Sequence, residues 1–141
     1  MTKRNTVLGL SLSALAAVGI CGSANAADRI TYSKDVMPIL QENCIECHRN
    51  NGANMGGMVA PMAFTNYAEA RPWAKAMAKA VAARAMPPWA AAPEHDGTFQ
   101  GERLMSDEDR ATIMAWVEQG AARGNPKDMP EPLEYATEEG W

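Results

Sequence analysis

The residues with the most distinctive chemistry lie together in the stretch ENCIECHRNN, where Cys44 and Cys47 are three positions apart and His48 follows at once. At the end of a helix, residues i, i+3 and i+4 project to one side, so this spacing gathers two thiols and one imidazole. Two thiols can add to the two vinyl groups of a porphyrin, and the adjacent imidazole can then bind its iron. Because C-x-x-C-H is the attachment signature of a c-type haem, the sequence predicts one covalent haem c, with its iron, held by Cys44, Cys47 and His48.

Three other uses of the cysteine pair remain open at this point. A thioredoxin-like redox pair needs a βαβ context, and the sequence shows no convincing strand pattern. A zinc site needs four nitrogen or sulfur ligands, whereas Cys44, Cys47 and the distant His95 supply three. An inert disulfide would close too short a loop to add much stability. The intervening Ile45 and Glu46 are expected only to set the spacing of the motif.

A haem iron has a second axial position, and the group that fills it decides the function. Methionine or histidine there makes an electron carrier, whereas an open position makes a binder or a catalyst. Met86 is the predicted sixth ligand, because it ends a predicted helix and is followed by Pro87 and Pro88, which stiffen the chain around it. The other candidates for this position are Met62, Met105 and His95.

Helices must position these residues, because no segment alternates apolar and polar residues as a β-strand would. The spacing of apolar residues predicts helices over residues 32–44, 72–85 and 106–120. The capping candidates are Ser33, Asn66 and Ser106, and the last helix is expected to stop at Gly120. The predicted class is therefore all-α.

Long loops separate the predicted helices. They cover residues 50–62 and 87–105, and loops of this length are unusual in a compact domain unless they are functional. Aromatic residues make up only 6% of the chain, so the apolar interior looks thin for a domain of this size. A haem would fill that interior, and the loops could pack around it.

The N-terminus has the features of an exported protein. Lys3 and Arg4 precede an apolar run over residues 7–21, and the small residues Ala24 and Ala26 follow it. This is the pattern of a secretory signal peptide, predicted to span residues 1–26, with a retained membrane anchor as the alternative. Because c-type haem is attached outside the cytoplasm, the expected location is the periplasm, with no membrane span after cleavage.

The charge of the chain excludes one class of partner. Removing the signal takes away Lys3 and Arg4, so 11 of the 13 basic residues remain against all 17 acidic ones and the formal charge falls from −4 to −6. Nucleic-acid binding needs a basic face to meet the phosphates, so no nucleic-acid partner is expected. An acidic protein of this kind is compatible with docking on a basic partner.

At this level of detail the chain is similar to the small class I cytochromes c. The resemblance runs from YSKDVMPILQENCIECHRNNG through RAMPPWAAAP to LMSDEDRATIMAWVEQGA, about residues 30–124. More narrowly, it resembles exported cytochrome c modules that carry MPPW and a closing IMAWVEQGAARGNP segment. The predicted organisation is a signal peptide over 1–26, a cytochrome c domain over 27–124 and a Pro- and Glu-rich tail over 125–141.

The resemblance implies a fold and a set of contacts. It implies that the first and last helices cross, with Val36, Leu40, Trp116 and Val117 at their contact. It implies that a loop proline carbonyl, with Pro61 as the matching candidate, accepts the Nδ1–H of the haem-ligating histidine. It also implies that Met86 is the distal ligand. Trp89 is expected beside the haem edge or a partner.

The function expected from these features is a periplasmic electron carrier and not an enzyme. It would take one electron from a redox protein and pass it to another in weak, transient encounters, as a monomer or a small subunit. One alternative is an open-site haem sensor or catalyst, with His95 or Arg71 as its polar distal group. The other is a fixed subunit of a dehydrogenase or oxidase complex, with the tail over 125–141 as its strap.

Overall fold

The computed structural model describes residues 29–54, 57, 59–89 and 91–135. A π-helical turn, Tyr32–Val36, continues into α1, Met37–Asn43; α2, Tyr67–Ala70, is joined through a 3₁₀ turn, Arg71–Trp73, to α3, Ala74–Ala82; and α4 is Asp107–Glu118. Short 3₁₀ turns lie at Pro93–His95 and Pro126–Asp128. The described residues contain no β-strand, and their main helices form three segments, so the predicted all-α cytochrome c fold is confirmed. The predicted signal peptide lies outside the described residues.

The first helical segment begins differently from the prediction. Thr31 occupies the N-cap position, and the Asp35 carboxylate accepts hydrogen bonds from the Thr31 N–H at 2.7 Å and from its hydroxyl at 3.2 Å. Ser33, the predicted cap, is buried instead and donates its hydroxyl proton to the Arg123 carbonyl at 3.0 Å. The Ser33 hydroxyl therefore ties the start of the chain to the segment after α4.

The middle helical segment starts five residues before the predicted residue 72. The side chain of Asn66, the predicted cap, accepts from the Glu69 N–H at 3.0 Å, and the Glu69 carboxylate accepts from the Thr65 N–H at 3.1 Å. Pro72 does not open the helix but lies inside the 3₁₀ turn between α2 and α3. A tighter turn accommodates proline there, because proline cannot donate an α-helical hydrogen bond.

The end of α3 turns the chain sharply. Arg84 has a positive φ of 53°, and the N–H groups of Arg84 and Ala85 donate to the carbonyls of Val81 and Ala80 at 3.1 and 3.0 Å. These two bonds form a Schellman motif, which ends the α-helix at Ala82 rather than at the predicted residue 85.

Both predicted ends of α4 are confirmed. The Ser106 hydroxyl accepts from the Asp109 N–H at 3.0 Å, and three acidic residues occupy the first turn, where they interact favourably with the helix dipole. At the other end Gly120 has a φ of 92°, and the Ala121 N–H donates to the Trp116 carbonyl at 2.8 Å. Glycine suits this position because it adopts positive φ without steric cost.

The core joins the two ends of the domain. Val36, Leu40, Ile113 and Trp116 have no exposed surface, and each such side chain stabilises the fold by about 1.5–3 kcal/mol through its burial. The π-helical turn packs against α4, and so does α3. The predicted contact between the first and last helices is therefore present, although Val117 is only partly buried.

The described part of the tail lies against α1. The Gln41 side chain donates to the Glu131 carbonyl at 2.9 Å, and the Tyr135 hydroxyl donates to the Gln41 carbonyl at 2.8 Å. The Arg49 guanidinium lies 5.2 Å from the centre of the Tyr135 ring. These contacts attach residues 131–135 to the domain itself. No helix within the described part of the chain is long and apolar enough to cross a membrane.

Candidate haem site

The C-x-x-C-H motif forms a turn that continues from the end of α1. The Cys44 N–H donates to the Leu40 carbonyl at 2.9 Å, and the Cys44 carbonyl accepts from the N–H groups of Cys47 at 3.1 Å and His48 at 2.8 Å. These bonds keep the helical spacing that the sequence analysis relied on. No disulfide joins Cys44 to Cys47 in the structure, which argues against the inert disulfide. Burial, and then the neighbouring Cys47, raise the pKa of the Cys44 thiol to about 12, so this group is neutral at neutral pH.

Gly52 allows the following loop to fold back onto the motif. A Cβ atom at this position would lie 2.0 Å from the Cys47 carbonyl oxygen, so no other residue fits without moving the backbone. Next to it, the Ala53 N–H donates to the Glu46 carbonyl at 2.9 Å. A glycine in a glycine- and asparagine-rich loop does not stand out in the sequence, so this role was not predicted.

The imidazole of His48 is oriented by a backbone carbonyl. Its Nδ1 lies 3.2 Å from the Met62 oxygen, and because a carbonyl can only accept, Nδ1 carries the proton and Nε2 is the nitrogen able to bind a metal. The implied partner Pro61 is therefore wrong by one residue: the loop turns the next carbonyl toward the ring. Burial lowers the pKa of His48, against the opposing effect of the Met62 hydrogen bond.

Phe64 supports the same imidazole from its face. Its ring stacks on His48 with centroids 4.5 Å apart and planes 11° from parallel, and its N–H donates to the His48 carbonyl at 2.9 Å. The buried Tyr32 hydroxyl donates to the Phe64 carbonyl at 3.1 Å and approaches the Met37 sulfur at 3.2 Å. The histidine is thus connected to the core through one aromatic residue, which the sequence analysis did not identify.

A cavity of about 570 Å³ opens beside the motif. Its volume lies within the range of about 300–1,000 Å³ for cofactor pockets, and its lining is mostly apolar, as such pockets usually are. The walls come from the attachment turn, from the loop around Pro61, from one side of α3 and from residues 86–88. The predicted residues Cys44, Cys47, His48 and Met86 all line this one cavity.

Their positions relative to the cavity distinguish the alternative candidates for the sixth ligand. Met105 is buried in the core and His95 lies in an exposed 3₁₀ turn, and neither lines the cavity. Met62 lines it, but its carbonyl is the partner of His48, so its backbone lies on the histidine side. Met77 on α3 also lines the cavity, with 6% of its surface exposed against 40% for Met86. Met77 lies inside the predicted middle helix, where it was expected to be a packing residue rather than a ligand.

The two tryptophans near the site have different surroundings. Trp73 lines the cavity, whereas Trp89, expected at the haem edge, is not among the lining residues and packs against Phe99 with ring centroids 6.1 Å apart. The Trp89 indole N–H is buried and has no hydrogen-bond partner among the described residues. Arg71 also stays outside the cavity, with a side-chain nitrogen 3.5 Å from the Gly120 carbonyl.

Comparison with known proteins gives the class of protein. The family model for cytochrome c matches residues 35–121. The chain therefore belongs to the cytochrome c family, whose members bind haem c and its iron covalently and use it in electron transfer. Searches of curated proteins and of solved structures found no match.

The described residues fit this cofactor. The cavity offers two thiols on one wall, an imidazole whose Nε2 is available, and thioether sulfurs on residues from the α3 side. Its remaining surface is mostly apolar, which suits the flat body of a porphyrin. When bound, the haem supplies an iron that alternates between Fe(II) and Fe(III).

Proposed function

We propose that this protein is a periplasmic cytochrome c that carries one electron between two redox proteins. In this proposal Cys44 and Cys47 hold the haem through thioether bonds, and His48 and Met86 are the axial ligands. The observation that carries the proposal is the cavity itself, which all four residues line although Met86 is 38 positions after His48 in the chain.

The role of the protein is to keep the iron's surroundings nearly unchanged when the electron arrives or leaves. The Met62 carbonyl and the Phe64 ring fix the orientation of His48, and the hydrogen bond to Nδ1 raises the basicity of the ligand. With haem bound, the mostly apolar lining would limit the access of water to the iron. Histidine–methionine ligation gives a higher reduction potential than other haem ligation in cytochromes c.

The open-site alternative has less support. A haem sensor or catalyst needs a polar group above the open position, and the expected groups were His95 and Arg71. Neither lines the cavity. Among the described residues that line it, the charged ones are Glu46, inside the attachment motif, and Arg103, so none of the described charged groups comes from the α3 side that carries Met86.

The fixed-subunit alternative depended on a tail available as a strap. Residues 131–135 make their hydrogen bonds with Gln41 of the same chain, which favours a self-contained carrier. Contact with donor and acceptor is then expected to be transient, through an interface of less than about 1,200 Å².

The first test is the optical spectrum of the purified holoprotein, ferric and ferrous, in wild type and in Met86→Ala. A weak ferric band at the red end of the spectrum reports methionine sulfur on iron. It is expected in wild type and in the control Met77→Leu, and absent from Met86→Ala. If the band disappears in Met77→Leu alone, the sixth ligand is Met77 rather than Met86. Absence of the band in wild type, with ready uptake of carbon monoxide by the ferrous haem, would support the open-site function.

Export is tested separately on the mature protein. Expression of the full chain in a bacterium that attaches c-type haem is expected to give a periplasmic holoprotein that begins at Ala27. Mass spectrometry of the intact protein measures this directly. A holoprotein that keeps residues 1–26 and sediments with the membrane would mean that the protein is anchored to the membrane and is not a free periplasmic carrier.

A further inference from the structure

Two charged residues lie in the wall of an otherwise uncharged cavity. Among the described residues that line it, Glu46 and Arg103 are the ones that carry a charge at neutral pH. The Arg103 Nη1 lies 2.9 Å from the Glu46 Oε2, although the two residues are 57 positions apart in the chain. Glu46 lies between the two cysteines, where it was expected only to set their spacing.

Arg103 is the more enclosed member of this pair and also approaches the attachment site. Its side chain is 28% exposed, against 49% for Glu46, and its Nη1 lies 4.0 Å from the Cys47 sulfur. The guanidinium therefore faces both the carboxylate and the cysteine that the proposed function assigns to a haem thioether. Charges beside a low-dielectric cavity act more strongly than charges in water.

We propose that Arg103 and Glu46 set the reduction potential of the haem in opposite directions. This inference rests on the proposed function, because it requires the haem to be attached beside Cys47. Oxidation of the haem adds one positive charge, so a nearby cation disfavours the ferric form and raises the potential, whereas a nearby anion lowers it. Because each member of the ion pair opposes the other, the intact pair gives an intermediate potential.

A purely structural role for the ion pair gives a different pattern. If the pair only fastened the segment before α4 to the attachment turn, removing either partner would break the same link. Both single variants would then change the potential in the same direction, and the double variant would resemble each of them. The signs of the two shifts therefore distinguish a charge effect from a fastening effect.

The experiment is spectroelectrochemical titration of the holoprotein at pH 7 and low ionic strength, in wild type, Arg103→Gln, Glu46→Gln and the double variant. Arg103→Gln is expected to lower the equilibrium constant for haem reduction at least threefold, about 28 mV for one electron because a tenfold change is about 59 mV. Glu46→Gln is expected to raise it, and the double variant to fall between the two. Arg103→Lys keeps the charge and is expected to stay near wild type. Lys127→Gln removes an exposed positive charge that does not line the cavity and serves as the charge control.

The outcomes separate this inference from the proposed function. Shifts of the same sign in both single variants, or shifts no larger than that of Lys127→Gln, would overturn the inference. The proposed carrier function would still stand if the optical spectrum of the variants were unchanged. If Arg103→Gln does not fold, Glu46→Gln is compared with Glu46→Lys instead. The charge effect predicts the larger upward shift in Glu46→Lys, whereas equal shifts in the two variants would overturn the inference. A wild-type tryptic peptide without haem at Cys47 would overturn the proposed function, and this inference with it.

Discussion

The imidazole of His48 and the phenyl ring of Phe64 lie face to face, with centroids 4.5 Å apart and planes 11° from parallel. Phe64 is buried and its carbonyl is held by the Tyr32 hydroxyl. The orientation of the proposed iron ligand is therefore set by the hydrophobic core as well as by the Met62 carbonyl.

Phe64→Leu is predicted to loosen this orientation. The substitution keeps an apolar side chain but removes the stacked ring, and the expected loss is about 1–2 kcal/mol of unfolding free energy. Urea unfolding of the holoprotein measures the loss, and the electron paramagnetic resonance spectrum of the ferric haem reports the imidazole orientation. Phe99→Leu is the control, since Phe99 is 52% exposed. Identical spectra for wild type and Phe64→Leu would mean that Met62 alone fixes the ring.

Gly52→Ala is predicted to prevent the attachment turn from closing. The new Cβ would meet the Cys47 carbonyl at 2.0 Å, and the obstacle is backbone, which cannot swing aside. The yield of covalent holoprotein, measured by haem staining of a denaturing gel, is expected to fall sharply. Gly97→Ala is the matched control: it has a positive φ but open space around it and does not line the cavity, so a loss of about 1–2 kcal/mol from backbone strain is expected, with haem attachment retained. Equal yields from the two variants would contradict the steric argument.

Tyr32→Phe is predicted to weaken the support behind Phe64. The change removes a buried hydroxyl that donates to the Phe64 carbonyl, and leaving that carbonyl unsatisfied is expected to cost about 1–3 kcal/mol. Urea unfolding at neutral pH checks this value. A loss below about 0.5 kcal/mol, the lower limit for a net hydrogen bond, would show that the carbonyl finds another donor.

The same tyrosine gives a pH prediction. Burial, and then the charge of Glu69, raise the pKa of Tyr32 above its unfolded value, so its contribution to stability is complete below the unfolded pKa of about 10. That contribution is lost as the pH rises above 10 toward the raised folded value. The unfolding free energy measured between pH 8 and 11 is expected to fall more steeply in wild type than in Tyr32→Phe. Parallel curves would assign the alkaline loss to other groups.

Tyr135→Ala is predicted to release the tail from α1. The variant loses a hydrogen bond to the Gln41 carbonyl and the contact with the Arg49 guanidinium, together about 1–2 kcal/mol. Limited proteolysis is expected to cut the tail faster while the haem spectrum stays unchanged. Leu133→Ala is the control, because Leu133 is exposed. Equal cleavage rates in the two variants would mean that Gln41 and Glu131 hold the tail without Tyr135.

The sequence predicted the parts of the site that depend on local spacing. The i, i+3, i+4 pattern of Cys44, Cys47 and His48 needs only one turn of chain, and Met86, singled out by the two prolines after it, lines the same cavity. The ends of α4 were predicted because Ser106 and Gly120 act on their own neighbours. Each of these signals is complete within a few residues.

The parts that were missed depend on how distant segments meet. The choice between the Pro61 and Met62 carbonyls depends on how the loop turns toward His48, which spacing does not encode. The roles of Phe64 and Arg103 require contacts with the core and with Glu46 that periodicity does not reveal. Gly52 matters because of a backbone atom close to it in space. The middle segment begins at Tyr67, directly after the predicted cap Asn66, although the apolar spacing predicted a helix only from residue 72.

The Schellman motif that closes α3 has a consequence for how the sequence can vary. Arg84 turns the chain, a single residue follows, and Met86 then lines the cavity. The stretch between the helix end and Met86 acts as a spacer of fixed length. An inserted or deleted residue there would move the Met86 sulfur away from its place in the cavity wall, whereas a change of residue type at Ala85 would not. At this point the chain tolerates changes of composition far better than changes of length.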